Sequence, residues 1–522
     1  MFDIIIRGGR IIDGSGNPEY YGDVGIRGEQ IAAIGKLDQA EAGRVIEAGG
    51  QAVCPGFIDM HSHSDVMLLA NPKHEPKILQ GVTTDVIGLD GLSYAPLSPA
   101  NLQMMRRYLA ALNGNPDISW DWSSVSEYLA RFDRRVAVNV AYLVPHNALR
   151  LGTVGFVDRM ATTEELAKMR EILAQGMREG AVGFSTGLDY YPGRYSNTEE
   201  LVNICTVVAE YGGISEWHTR LRDIGLIEAI KEVIRVAEKT SVKVHFSHYA
   251  ANGQENWGKS KEMLALVDEA RKKGLDVTFD SHSYMATSTT MVIFLPRWVH
   301  EDGPDAILER LRQPKIREKI CADMHAASLP WDRLVLACVS TAKNKIYLGK
   351  NFLEGANIAG KDVAEFVCDL LLEEELCAGY VGFNGNEEDI RTIMKHPCHT
   401  VGSDGILVGD RPNPRGWGTF PRYLGVYCRE LGILGLEEMI RHMTSAPAQR
   451  LGLNDRGLVK EGLAADLVIF NPQTVADKAT FDEPKKYPVG IDYVLVNGAV
   501  VADKGQHTGV LNGRALHGRG KE

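Results

Sequence analysis

The segment Pro55-Gly56-Phe57-Ile58-Asp59-Met60-His61-Ser62-His63-Ser64-Asp65 is an apolar run that closes in His-x-His. Side chains two apart on a strand point to the same side, so His61 and His63 can bind one metal ion. A bare His-x-His is more often two unrelated histidines. Its place at the carboxyl end of a strand, where barrel active sites gather, favours the metal. Three further runs end in polar groups able to converge on the same mouth: Glu216-Trp217-His218, Phe246-Ser247-His248 and Val401-Gly402-Ser403-Asp404-Gly405. Imidazole and carboxylate suit Zn²⁺, and such donors also accept Mn²⁺ or Co²⁺. Asp404 has a second role open to it, because a carboxylate beside a metal-activated water can take its proton. The plainer alternative is an aspartate capping the turn before Gly405. His245 lies three before His248, should point away from it on a strand, and reads as structural. These parts point to metal-assisted hydrolysis.

Such groups need strand ends gathered at one place. Between about Gly56 and Leu453, apolar β-branched runs alternate with amphipathic segments such as Thr163 to Glu179, Leu226 to Lys239 and Lys261 to Lys273. Eight runs read as strands: Gly56 to His61, Val82 to Leu89, Val136 to Val144, Ala181 to Ser185, Gly213 to His218, Val242 to His248, Asp276 to His282 and His399 to Asp404. Strand–helix repetition of this kind predicts an α/β fold, a (β/α)₈ TIM-type barrel over 56–453. The seventh and eighth runs are too far apart for an ordinary connection. An inserted lid or subdomain is expected at about 288–395, with helices over Pro304 to Ala326 and Lys361 to Glu375. Residues 1–55 read as short strands and turns, a texture that returns in Ala465 to Phe470 and Val494 to Val501. Residues 1–55 and 454–522 are therefore predicted to form one small β domain.

Composition excludes several functions. The chain has 522 residues, 44% hydrophobic and 24% charged, with a net charge of −11, so no global field draws in nucleic acid or anionic membrane. No run reaches the ~18 apolar residues of a membrane span, and the amino terminus lacks a basic stretch followed by a long apolar run. The eight cysteines are scattered without a C-x-x-C pair, as expected for reduced thiols in a cytoplasmic protein. A small-molecule partner is expected, and a homo-oligomer stays open. Gly253-Gln254-Glu255-Asn256-Trp257-Gly258-Lys259-Ser260 satisfies the written phosphate-loop pattern, but Glu255 would bring a like charge to the phosphates and Trp257 is bulky. The run Glu373-Glu374-Glu375 reads as a solvated helix face.

Several longer blocks resemble the amidohydrolase superfamily and, within it, the N-acyl-D-amino-acid deacylase (D-aminoacylase) family. They are Pro55 to Asp65, Gly81 to Thr84, Gly183 to Leu188 with Tyr191-Pro192-Gly193, Asn256 to Lys259, Gly402 to Gly405, Pro414-Arg415 with Gly418 to Arg422, and Ala464 to Leu467. The resemblance implies a barrel with a small β domain from both termini, a catalytic zinc, and hydrolysis of an N-acyl-D-amino acid to a D-amino acid and a carboxylate. It also implies that His218 and His248 hold the well-occupied zinc, that His61 and His63 form the other metal pair, and that Asp404 is the general base. Where the family has a cysteine ligand, this chain has Asp90 in Gly88-Leu89-Asp90-Gly91. A carboxylate is a competent zinc ligand and can bridge two ions, so Asp90 is expected to be a ligand; the alternative is a surface-turn aspartate.

Other departures fall where substrate would sit. Ser247-His248-Tyr249-Ala250 loses a lysine that in relatives helps hold the substrate carboxylate, and the blocks Asp280-Ser281-His282-Ser283-Tyr284 and Asn413-Pro414-Arg415 are altered. Arg415 could pair with a carboxylate as a two-pronged donor. Tyr191, Lys259, Tyr284 and His282 are further pocket candidates, and Trp257 and Trp417 either line an acyl pocket or fill core. An altered substrate is expected. Two alternatives stand beside the deacylase: a hydrolase of cyclic or other non-peptide amides, of the hydantoinase or dihydropyrimidinase kind, and a non-catalytic scaffold. Retention of His61, His63, His218, His248 and Asp404 argues against the scaffold.

Overall fold

The computed structural model describes residues 1–220 and 225–521. Eight parallel strands form a nearly closed barrel: β1 (Phe57–Asp59), β2 (Val82–Ile87), β3 (Asn139–Pro145), β4 (Gly183–Gly187), β5 (Ile214–His218), β6 (Lys243–Phe246), β7 (Val277–Ser281) and β8 (His399–Val401). Most of their residues are buried, which is why they read as near-continuous apolar runs rather than alternating ones. The ladder is continuous from β1 to β8. Between β8 and β1 it gives way to a few backbone bonds. Met60 N–H donates to Val401 O at 3.1 Å, Asp404 N–H to His61 O at 2.8 Å, and Gly405–Ile406 pairs in parallel with Ser62–His63.

The outer helices bury one stripe each. Thr163–Arg178 starts in a capping box, the Thr162 hydroxyl and the Glu165 carboxylate each satisfying the other residue's backbone N–H. Leu226–Thr240 buries Ala229, Ile230, Val233, Ile234 and Ala237 at helical spacing. Both terminal segments build a separate nine-stranded sheet, joined where Ala52–Pro55 pairs parallel with Phe2–Ile11 and antiparallel with Leu467–Phe470. Beyond it, Ala515–Leu516 pairs with β3. Among the described residues, no helix is long and apolar enough to cross a membrane.

The insertion between β7 and β8 contains a three-stranded antiparallel sheet, Ala286–Thr290, Gly379–Phe383 and Leu334–Cys338, covered by helices. The single helix expected over Pro304 to Ala326 is two, Pro304–Arg312 and Pro314–Ala326. Pro314 has no N–H and excludes helical backbone from Gln313, which sits at φ −84° and ψ 113°. Nor is Glu373-Glu374-Glu375 a uniformly solvated face. Glu374 is buried and accepts the Thr341 N–H at 2.9 Å and the Asn344 amide at 2.7 Å, leaving its two neighbours exposed.

Candidate metal centre

His61 and His63 follow β1, Asp90 follows β2, His218 ends β5, His248 follows β6 and Asp404 follows β8, so the barrel delivers all six side chains to one end. Three of them sit in left-handed backbone: Asp90 at φ 54°, His248 at 31° and Asp404 at 48°. Such conformations are costly for residues with a Cβ and gather where function over-determines them. The turn carrying Asp90 also demands a glycine. At Gly88, φ 80°, a Cβ would lie 2.3 Å from Leu143 O.

The geometry centres on one atom. Asp90 Oδ2 lies 3.5 Å from His61 Nε2, His63 Nε2 and His218 Nδ1, and 3.6 Å from His248 Nε2. Asp404 Oδ1 lies 3.3 Å from His63 Nε2 and 3.8 Å from His61 Nε2. Three overlapping trios of donors are close enough to hold an ion: His61, His63 and Asp90; Asp90, His218 and His248; His61, His248 and Asp404. Two share Asp90, an arrangement suited to a pair of ions bridged by a carboxylate. The fit of a cation is tested by what the donors lack. Nε2 of His61, the nitrogen that faces Asp90, and Oδ1 of Asp90 are buried with no hydrogen-bond partner among the described residues, which native interiors rarely tolerate. The residues fit a metal.

Carboxylates that the sequence reading did not single out orient this set. Asp280, on β7, lies 3.6 Å from His61 Nδ1 and 3.1 Å from His245 Nε2, and accepts the His248 N–H at 3.0 Å. Asp189 meets His218 Nε2 at 3.2 Å, and Glu216 accepts the Asp90 N–H at 3.0 Å. Glu216 and Asp280 stand two before His218 and His282 on their strands, and that same-face spacing was the available signal. His245, expected to point away from the site, instead lies buried on the same face as Glu216, bonding Thr278 Oγ1 at 2.7 Å and Asp280 Oδ2 at 3.1 Å, so its role is to hold the carboxylate that orients His61 and His248.

Burial opposes charge throughout, and the neighbours override it. For His61, burial would lower the pKa, but Asp90, Asp280 and Asp404 hold it well above the usual range. For His218, Asp90 and the bond to Asp189 prevail over burial and push it up to about 10. Asp90 stays far below the ordinary carboxylate range despite burial, through His61, His248 and His218. The protons these imidazoles hold are what a divalent cation displaces. Asp404 is also buried and also held low, first by Arg415, whose Nη1 lies 2.9 Å from its Oδ2.

A cavity of about 180 Å³ opens beside the centre. Its lining includes the apolar Leu226, Ile230, Phe246, Tyr249 and Met263, the insertion's Thr287, Ser288, Thr289, Tyr380 and Asn384, and Ala250. Among the described residues, no lysine or arginine lines it. Of the expected substrate-binding residues, His282 lines the cavity, and four stand elsewhere. Arg415 is fully buried, bonding to His282 Nε2 at 3.2 Å and Ser288 O at 3.2 Å as well as facing Asp404. Tyr191 stacks on His300 with centroids 3.9 Å apart, while its neighbour Tyr190 takes the cavity wall. Lys259 donates to Asn256 Oδ1 at 2.9 Å, and Tyr284 to Asp477 Oδ2 at 3.2 Å. Neither tryptophan forms an acyl pocket: Trp257 is 39% exposed and Trp417 is core. The phosphate-loop pattern fails on chemistry. Asp389 accepts the Gly258 N–H at 2.8 Å and the Ser260 N–H at 3.3 Å, so a carboxylate already fills the helix start that a phosphate would need.

The amidohydrolase family model matches residues 44–502. A D-aminoacylase of Alcaligenes xylosoxydans xylosoxydans is 36% identical, over 99% of this chain and 97% of that protein. An N-acyl-D-glutamate deacylase of the same organism is 37% identical, over 96% of this chain and 93% of its own length. A crystal structure of an N-acyl-D-glutamate deacylase from Bordetella bronchiseptica, complexed with zinc and a phosphonate mimic of the tetrahedral intermediate, superposes with a TM-score of 0.86 at 34% identity, over 99% of both chains. The barrel, the gathered histidines and aspartates and these end-to-end likenesses together make the chain a member of the amidohydrolase family.

Proposed function

We propose that this chain is a metal-dependent amidohydrolase that cleaves the amide of a linear N-acyl-D-amino acid, releasing the D-amino acid and a carboxylate. The observation that carries the reading is the single Asp90 oxygen 3.5 to 3.6 Å from four imidazole nitrogens, with Asp404 alongside. His61, His63, Asp90, His218, His248 and Asp404 would hold one or two zinc ions. When bound, zinc supplies a Lewis acid for the amide carbonyl and makes a water more acidic. Asp404, kept ionised by Arg415, accepts the proton of the attacking water and returns it to the departing amine nitrogen. Arg415 in turn is fixed by Ser288 O and the His282 ring, so the base has one orientation. The apolar lining receives an apolar side chain or acyl group, and the hydroxyls and amides of the insertion receive the polar end of the substrate. The eight cysteines, all free thiols, support work in a reducing compartment such as the cytoplasm.

One observation favours a second reading. Ala250 on the cavity wall, with no lysine or arginine lining it among the described residues, suits a neutral or cyclic amide as well as a carboxylate-bearing one. Matched N-acetyl-D- and N-acetyl-L-amino acids, hydantoin and dihydrouracil assayed side by side with the zinc-loaded protein separate the two. Amine release from D substrates alone supports the deacylase; ring opening with no deacylation overturns it.

A further inference from the structure

The barrel is weakest where the site is divided. His61 and His63 lie on the β1 side of the seam and Asp404 on the β8 side, and in place of a continuous ladder the backbone crosses it with the few bonds described above. Directly at this seam sits a buried charge the reaction does not use. Lys77, on the one-turn helix Glu75–Ile78, is 0% exposed, and its Nζ donates to Asp59 Oδ2 and to Ser403 Oγ. Asp59 is equally buried; its other oxygen accepts the His61 N–H at 3.2 Å and the Ser403 N–H at 2.8 Å. Ser403 Oγ reaches back to His61 O at 3.2 Å and accepts the Gly405 N–H at 3.0 Å. Each of these three side chains therefore touches both sides of the seam. Asp59 stands two residues before His61, and Ser403 one before Asp404.

A buried ion pair is a weak way to stabilise a fold, since apolar residues of similar volume often do as well. What it supplies is direction: an ammonium group offers several donors at fixed angles, and a carboxylate accepts from two sides. We propose that Lys77 is a positioning residue. Through Asp59 and Ser403 it sets the spacing between the His61–His63 pair and Asp404, and with it the donor set for metal and the placement of the base. The inference rests on the proposed reading of those three residues as metal-holding and proton-accepting groups.

The test uses the full-length chain as wild type, Lys77→Met, Ser403→Ala and the double variant Lys77→Met/Asp59→Asn, which removes both ends of the Lys77–Asp59 pair and leaves the neighbouring buried Asp85 its bond to His74 at 2.7 Å. Each is measured for melting temperature, for zinc bound in buffers of controlled free zinc, and for kcat and KM on the amide that the wild type hydrolyses best. Expected for Lys77→Met and Ser403→Ala is a fall in kcat of about tenfold to a hundredfold with KM within about twofold, and a rise of similar size in the free zinc needed for half-saturation. The double variant should regain the melting temperature that Lys77→Met loses without regaining kcat or zinc affinity. Recovery of kcat together with melting temperature would make the clamp merely structural and overturn the proposal, as would a Ser403→Ala variant with wild-type kcat and zinc binding. If Lys77→Met does not fold, the other two variants decide on the same criteria. A wild-type chain that binds no zinc and hydrolyses no amide overturns the metal-centre reading itself, and this inference with it.

Discussion

Asp404 and Asp90 are both buried carboxylates among histidines, yet the structure gives them different surroundings. Both line the cavity, but Asp90 is ringed by four imidazoles, whereas Asp404 is backed by a guanidinium at 2.9 Å. Asp404→Asn keeps the volume and removes the proton acceptor, so kcat should fall by about 10²- to 10⁴-fold while the chain keeps its fold and the zinc held by the donor trios that lack Asp404, Asp90 with His218 and His248 and Asp90 with His61 and His63. Steady-state kinetics beside metal analysis check this, and near-wild-type turnover would refute the role. The two histidines at His282 and His300 set a pH limit. Burial lowers each to about 3, with Arg415 adding to the effect at His282. Between about pH 6.5 and 3 the unfolded chain takes up protons that the folded one refuses, so stability falls as pH is lowered, by up to about 1.4 kcal/mol per pH unit for each. His300→Phe, still able to stack on Tyr191, should lose less stability between pH 7 and pH 5 than the wild type in urea titrations. An equal loss would exclude His300 as a source.

At the scale of elements, the eight barrel strands were legible because a strand buried on both faces leaves an unbroken apolar run, and each run here overlaps one observed strand. The polar residues closing those runs were legible for the same reason. What the sequence hid was lateral. Spacing could place Asp280 on the inward face of its strand, but not its contact with His61 beyond the intervening β8, nor that of Asp189 with His218 from a separate loop. Arg415 misled in another way: the motif reports a guanidinium near the site, but not that it faces Asp404 rather than the open cavity. Lys259 and Tyr284 likewise belong to recognisable blocks yet spend their polar groups on Asn256 and Asp477. The turn after β2 offers a test of how tightly backbone dictates chemistry here. Gly88→Ala would press a Cβ against Leu143 O in left-handed backbone, destabilising the protein by at least about 1–3 kcal/mol and displacing Asp90. A lowered melting temperature with reduced zinc content is expected. Unchanged values of both would show that the turn has slack.

At the scale of the whole molecule, the site is a joint product of barrel and insertion: the barrel gives charge and donors, the insertion gives neutral hydroxyls and amides. That division should govern specificity. A second carboxylate, carried on the side chain of the substrate, finds no lysine or arginine on the wall among the described residues, and an unpaired buried carboxylate costs several kcal/mol. N-acetyl-D-leucine should therefore exceed N-acetyl-D-glutamate in kcat/KM by at least about a hundredfold. A preference for glutamate would mean that a cation outside the described wall reaches the cavity.

The sheet shared by the two terminal segments also has a consequence for how the protein is made. Ala52–Pro55 leaves the ribosome early, but its antiparallel partner Leu467–Phe470 is translated last but for the final strands. With roughly 400 residues between them and synthesis at about 5–20 residues per second, that strand waits some twenty seconds or more for its neighbour. During synthesis the side of this strand not paired with Phe2–Ile11 is an open apolar edge at Val53 and Cys54, exposed to nascent-chain aggregation and to holding chaperones, so that a late-built segment closes an early one.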